Sequence, residues 1–162
     1  MLLFLQCLAG CVLLTVVILP AQYKDPIKMI ASYPPEVIRR VEQLPQYRDT
    51  IKQREKAHLI KKIVGLIFFV LVFAAVAHVS GCRSFVEAFL HVFTIFFTVN
   101  LFDLLVLDWG VFCHSRKLRI PGTEDMDGAY KDYAFHAQGA AVGCVLGVMV
   151  ALLAGGIVHL IG

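Results

Sequence analysis

Residues 98–113 read TVNLFDLLVLDWGVFC, which places Asn100, Asp103 and Asp108 inside an otherwise apolar segment of membrane-spanning length. A carboxylate at the middle of a bilayer costs about 2.5 to 3.5 kcal/mol on insertion scales, so such residues usually face a packed interior or a water-filled path. This stretch is therefore the strongest indication of a functional site in the chain.

The composition is that of an integral membrane protein. The 162 residues are 59% hydrophobic and have a mean hydropathy of +0.75, well above the values of soluble domains. About 20 apolar residues cross the hydrocarbon as a helix, whereas isolated strands cannot. We predict one all-α membrane domain over residues 1–162, a bundle of four transmembrane helices at about 2–20, 62–79, 85–112 and 137–160.

The basic residues are distributed unevenly between the connecting segments. Ten of the 15 lie between the first two apolar spans and four between the last two, whereas Arg83 alone lies in the remaining connection. The positive-inside rule then predicts cytoplasmic basic loops, with the N- and C-termini outside, in a plasma or inner membrane. We expect the basic segment to attract anionic lipid rather than nucleic acid. The first span has neither a preceding basic residue nor an A-x-A pattern, which favours a retained helix over a secretory signal.

The segment over residues 21–61 is predicted to be cytoplasmic and amphipathic. The first span should end at Pro20, and four further prolines divide the segment into short pieces. Residues 35–44, PEVIRRVEQL, predict a helix lying on the inner membrane surface. Its apolar side comprises Val37, Ile38, Val41 and Leu44. A second helix is predicted to start near Pro45 and to run into the second span.

Two short connections complete the topology. Residues 80–84, SGCRS, predict a tight antiparallel hairpin between the second and third spans. The cytoplasmic loop over 113–136 should turn at Pro121 and Gly122, with Thr123 or Asp125 capping a short helix behind the turn.

The polar residues of the opening stretch cannot all point in one direction on a regular α-helix. Asn100 and Asp103 lie about 60° apart around the axis, while Asp108 lies about 140° from Asp103. We predict a buried Asn100–Asp103 pair, with Asp108 near the cytoplasmic boundary. The structural alternative for a buried carboxylate here is a hydrogen bond with a Ser, Thr or backbone group on a neighbouring helix.

These residues favour a small transporter- or channel-like protein in which Asn100, Asp103 and Asp108 handle a proton or cation. The alternative is a membrane-embedded enzyme acting on a lipid or amphipathic substrate at the cytoplasmic face. Its catalytic groups would be Asp108, His114, Tyr130 and His136. That function requires Asp108 and His136 to come within hydrogen-bond reach or to face one cavity. A noncatalytic subunit of a membrane complex is the third hypothesis, and no hydrolase, zincin or nucleotide-binding motif is present.

A second polar group is predicted at the opposite membrane face. Its four candidate ligands are His78, Glu87, His91 and His159. These side chains could bind a transition metal. Alternatively, Glu87 and His91 could hydrogen-bond to each other while the other two histidines lie at the interface.

The fourth span carries a glycine at every fourth position, Gly139, Gly143 and Gly147. This glycine-zipper pattern lets another helix approach closely. The partner is either the third span or the same span of a second copy, and we expect a homo-oligomer.

Overall fold

The computed structural model describes residues 1–47 and 58–162 and confirms the all-helical prediction. Helix accounts for 84% of the structure, and the described residues contain no strand. The helices in chain order are α1 (Leu2–Lys24), α2 (Pro35–Gln43), α3 (His58–Val79), α4 (Phe85–Phe102), α5 (Asp127–Tyr130) and α6 (Tyr133–Ile161). A π-helix over Asp103–Phe112 continues α4, and 3-10 segments cover Pro26–Ser32 and Arg116–Leu118.

Among the described residues, three helical stretches are long and apolar enough to cross a membrane, namely Leu2–Lys24, Phe85–Phe112 and Asp127–Ile161. The apolar part of α3, Ile63–Val79, is shorter. The helix predicted from Pro45 into the second span falls largely on residues 48–57, which lie outside the described residues. Length and composition therefore support membrane association.

Helices α4 and α6 form the centre of the bundle, with α1 packed against α4 and α3 packed mainly against α6. A Cβ added at Gly147 would lie 2.6 Å from Phe96 Cδ1, and one at Gly143 would overlap the side chain of Asn100. A Cβ at Gly139 would meet nothing within 4 Å. Gly143 and Gly147 therefore allow α4 to approach α6, whereas association with a second copy stays a prediction.

Two helix ends differ from the sequence-based boundaries. Helix α1 continues past Pro20 to Lys24. Proline removes one backbone donor and strains the preceding turn, but α1 packs against the π-helix and both 3-10 segments. Helix α6 begins at Tyr133 rather than near residue 137, because the Asp132 carboxylate caps it by accepting a hydrogen bond from the Phe135 N–H at 2.9 Å.

Both predicted turns are present. Gly81 and Gly122 adopt φ angles of +95° and +93°, a region that glycine enters without steric penalty. The first turn joins α3 to α4. After the second turn, the predicted caps Thr123 and Asp125 are not used by α5, because the Thr123 hydroxyl donates instead to the Ile120 carbonyl at 2.7 Å.

The apolar side of α2 packs into the protein. Val37 and Val41 are fully buried in a cluster that we call the loop core. The loop core comprises Ile27, Ile30, Tyr33, Val37, Val41, Phe112, Cys113, Leu118, Ile120 and Tyr130. The chain itself therefore covers Val37 and Val41, whereas the position of α2 on the inner membrane surface stays a prediction. We call this end of the bundle the loop end and the end with residues 80–84 the turn end.

Candidate functional site

A cavity of about 320 Å³ lies between α1, the π-helix and α6 at the loop end. Its polar wall comprises Gln22, Ser32, Asn100, Asp103, Asp108 and His136. Its remaining wall comprises Ile18, Met29, Ala31, Leu104, Leu107, Phe135, Gly139 and Ala140. These residues come from separate parts of the chain, so only the folded bundle forms the cavity.

The central contact of the cavity joins Asp108 to His136. His136 Nδ1 lies 3.2 Å from Asp108 Oδ2, and the two side chains are 3% and 28% exposed. Phe112 and Phe135 contact the imidazole with ring centroids 5.0 and 5.4 Å away. When Nδ1–H donates to the carboxylate, a neutral ring has Nε2 free as an acceptor. That Nε2 is buried and has no hydrogen-bond partner within the described parts of the chain.

The π-helix explains how Asp103 and Asp108 reach one cavity. The Cys113 N–H donates to the Asp108 carbonyl at 2.9 Å, which is the five-residue spacing of a π-helix. Residues five apart then stack along the axis, as residues four apart do in an α-helix. The angle of about 140° expected between Asp103 and Asp108 assumes α-helical geometry and is therefore wrong for this segment.

Asn100 lines the cavity and also ties α4 to α6. Its Nδ2 donates to the Ala140 carbonyl at 2.9 Å and contacts Cys144 Sγ at 3.3 Å. Asn100 and Asp103 therefore share one wall of the cavity, as the predicted pair requires. The Asn100 amide also makes a hydrogen bond to the backbone of a neighbouring helix, which is the type of contact given as the structural alternative.

His114 and Tyr130, two candidates for catalysis, do not line this cavity. His114 is exposed, and its Nδ1 lies 2.8 Å from the Trp109 carbonyl, which can only accept. Tyr130 is buried in the loop core, where its hydroxyl accepts from the Ile120 N–H at 2.9 Å and lies 2.6 Å from Thr123 Oγ1. Both side chains therefore have structural partners away from the cavity.

Arg119 holds the end of the π-helix in place. Its guanidinium donates to the Phe112 and Cys113 carbonyls at 3.4 and 3.1 Å, pairs with Asp127 at 3.1 Å and lies 4.0 Å from the centre of the Tyr130 ring. A cation at a helix C-terminus satisfies carbonyls that have no partner within the helix. Burial raises the pKa of the adjacent Cys113 thiol to about 11, and the charge of Asp108 adds to this shift.

At the turn end, Glu87 caps a helix. Its Oε2 accepts from the backbone N–H groups of Arg83 and Ser84 at 3.0 and 3.2 Å, and Ser84 Oγ accepts from the Glu87 N–H at 3.3 Å. This reciprocal arrangement is a capping box. The carboxylate proposed as a metal ligand is thus used to start α4.

The neighbouring His91 joins α4 to α1. Its Nε2 lies 2.8 Å from Gln6 Oε1, and Gln6 Nε2 donates to Ser80 Oγ at 2.8 Å. Ser80 Oγ in turn donates to the Val76 carbonyl at 2.6 Å. Because Gln6 Oε1 can only accept, His91 Nε2 carries the proton.

The four turn-end candidates do not form the predicted metal site. Glu87 belongs to the helix cap and His91 bonds to Gln6, while His159 is exposed. The backbone carbonyl of His78 accepts a hydrogen bond from the Arg83 guanidinium at 2.7 Å. The ring Nδ1 of His78 is buried and has no hydrogen-bond partner in the described residues. Within those residues, no group of three or more His, Cys, Asp or Glu side chains could hold a metal ion.

Sequence reasoning missed Gln22 and Ser32 as cavity residues and Gln6 as the partner of His91. Gln22 is 6% exposed although it lies near the end of a span, where a polar residue is normally read as interfacial. Gln6 did carry a signal, because it is the one strongly polar side chain in the first half of α1. Ser32 carried none.

Comparisons of the chain with protein-family models, with curated proteins and with solved structures found no match. The cavity itself is therefore the basis for a functional proposal.

Proposed function

We propose that the protein is an integral membrane protein whose α1, α3, α4 and α6 cross the bilayer as a four-helix bundle. Three stretches of sufficient length and apolar character support this arrangement. The excess of basic residues at the loop end supports, by the positive-inside rule, a cytoplasmic loop end with both termini outside. An acceptor tag for glycosylation inserted at 80–84 or at 121–122 tests the orientation. Modification of the first insertion alone is expected, and the opposite pattern would overturn the topology.

The activity that we propose is the handling of protons by a transporter- or channel-like protein, with Asp103, Asp108 and His136 as exchanging groups. The observation that carries this proposal is the 3.2 Å contact of Asp108 with His136 on a wall that also includes Asp103. An imidazole beside a carboxylate can take up and release a proton near neutral pH, and acidic groups in membrane spans commonly serve proton relays. A metal-cation site has less support, since the described residues contain no group of metal-binding side chains.

Proton flux in reconstituted vesicles tests this activity. Vesicles containing a trapped pH-sensitive dye receive a potassium gradient and valinomycin, and the dye reports proton entry. We expect faster entry with the wild-type protein than in protein-free vesicles, and a return to the protein-free rate with Asp103→Asn. Glu42→Gln removes an exposed carboxylate on α2 and serves as the control. Equal rates for wild type and Asp103→Asn, with circular dichroism showing both folded, would overturn the proposal.

The alternative activity, an enzyme at the cytoplasmic face, is favoured by one feature of the same contact. A carboxylate that orients Nδ1 leaves Nε2 as a general base, which is the arrangement of many hydrolytic sites. The partly apolar wall would then receive an amphipathic substrate. Mass spectrometry of bilayer lipids incubated with wild type and with His136→Gln tests this function. A product formed only by the wild type supports it, and unchanged lipids in both samples exclude lipid as the substrate.

A further inference from the structure

We propose that the cavity at the loop end binds an amphipathic organic cation, a small molecule with one protonated amine and an apolar body, in competition with a proton. This inference rests on the proposed function and names the substrate class of the same site. It is carried by the charge of the wall, the shape of the cavity and the hydrogen-bonding capacity of the wall's carboxylates.

The charge of the wall selects a cation. Asp103 and Asp108 come from the π-helix, and His136 from α6 is the other titratable side chain among the described lining residues. Helix α1 contributes Gln22 and the first 3-10 segment contributes Ser32, both uncharged. With no lysine or arginine on this described wall, an anion would face two carboxylates without a compensating charge.

The apolar side of the cavity selects a cation with a hydrocarbon body. Leu104, Leu107 and Phe135 line it beside the carboxylates, and Ile18 comes from α1. A volume of about 320 Å³ lies at the lower end of the range for small-molecule sites, about 300 to 1,000 Å³. A bare inorganic ion would leave most of this surface without a partner.

The carboxylates of the wall select a hydrogen-bond donor as well as a positive charge. Asp108 Oδ2 lies 3.2 Å from His136 Nδ1, and the Asp108 side chain is 28% exposed. An ammonium group supplies N–H donors for carboxylate oxygens on this wall.

The side chains of Asp103, Asp108 and His136 also make proton binding and amine binding mutually exclusive. Protonation of His136 turns Nε2 into a donor and adds a positive charge next to the ammonium position. Protonation of Asp103 or Asp108 removes the attraction for the cation. The proton and the amine therefore compete for the cavity, and bound amine is expected to slow proton flux.

Binding of 4-phenylbutylamine to the full-length protein in nanodiscs, measured by titration calorimetry, tests the inference. We expect binding at pH 8 and strong weakening at pH 5.5, while the amine itself stays protonated at both values because its pKa is near that of lysine, about 10.4. The neutral analogue 4-phenylbutanol should bind at least about 30-fold more weakly, as expected when a buried charge pair loses one partner. Equal affinity for amine and alcohol would overturn the proposal.

Two variants test separately whether amine binding depends on the charge of the wall and on the free volume of the cavity. Asp103→Asn should weaken amine binding by about 30-fold or more, with Glu42→Gln binding like wild type. Gly139→Leu adds a side chain at a cavity-lining position where a Cβ meets nothing within 4 Å, so it should block the amine while the helical content stays unchanged. Undiminished binding by a folded Gly139→Leu protein would place the amine elsewhere and overturn the proposal. If the wild type carries protons but binds no amine, this inference alone is refuted. If wild-type vesicles take up protons no faster than protein-free vesicles, the proposed function is refuted.

Discussion

At the turn end, Glu87 and His91 lie four residues apart on one helix and are both committed to structure, one to a helix cap and the other to Gln6. At the loop end, Asp108 and His136 come from different helices, contact each other and retain an unpartnered Nε2 beside a cavity. Each end thus has a carboxylic acid and a histidine among its polar residues. The two sets differ in their contacts: Glu87 and His91 each bond to another group, whereas Asp108 and His136 contact each other on the wall of a cavity that a ligand or proton can enter.

The largest expected effect is the loss of proton flux when the loop-end pair is changed. Asp108→Asn keeps the size of the side chain but removes the charge that orients His136, so flux should fall by about 100-fold or more, as for loss of a general acid–base group. His91→Gln changes the turn end and should leave flux close to wild type. Flux assays on both variants in parallel check this contrast, and a similar loss in both would contradict the division between the ends.

A stability effect is expected at the turn end instead. Gln6→Leu removes the connection from α1 to His91 and Ser80 and should destabilise the protein by about 0.6 to 2 kcal/mol, the range for hydrogen bonds between membrane helices. Unfolding in detergent with increasing denaturant measures this change. Gln43→Leu, on the exposed part of α2, is the matched control. A Gln6→Leu protein of unchanged stability that had lost proton flux would show that the turn end is functional.

A smaller effect is expected from the helix cap. Ser84→Ala removes the hydroxyl that accepts from the Glu87 N–H, which should cost about 1 kcal/mol and lower the melting temperature by about 2 to 4 °C. Thermal unfolding followed by circular dichroism measures it. Zinc added to the wild type should leave the melting temperature unchanged, and a rise would contradict the assignment of Glu87 to the cap.

The smallest effect concerns Glu124 in the loop over 113–126. The Gly122 N–H donates to its carboxylate, with contacts of 3.0 and 2.9 Å to the two oxygens, and holds the pKa of Glu124 below its usual value. A lowered pKa in the folded state stabilises the fold above the unfolded pKa of about 4.3, and this contribution disappears as the pH falls through the folded pKa. Melting curves between about pH 3 and pH 6 should therefore show slightly less loss of stability on acidification for Glu124→Gln than for wild type. Identical pH dependence would indicate that this hydrogen bond is absent in solution.

The sequence was sufficient for the long helices, the hairpin turn and the amphipathic pattern of α2, because apolar length and periodicity determine them locally. It could not show what covers Val37 and Val41, since an apolar helix face is equally compatible with lipid and with a distant part of the same chain. The loop core depends on Phe112 and Tyr130, and no local pattern connects these residues to α2.

The shared cavity of Asp103 and Asp108 was beyond sequence reasoning for a geometric reason. Helical projection assumes about 100° per residue, and one residue more in each turn changes which side chains share a face. The contacts that hold the π-helical end, including those from Arg119, come from outside the segment. Sequence reasoning could propose that Asp108 and His136 meet, but only the packing of α6 against the π-helix brought His136 to within 3.2 Å of Asp108.

The long-range hydrogen bond from Tyr33 to Leu118 has a consequence for biosynthesis. These residues are 85 positions apart, so Leu118 is synthesised about 4 to 17 s after Tyr33 at ordinary rates of translation. Until then the part of the loop core beyond α4 is incomplete and cannot cover the apolar side of α2, although α3 and α4 have already been made. The cavity wall is completed later still, because its residues His136, Gly139 and Ala140 lie on α6, which follows Leu118 in the chain.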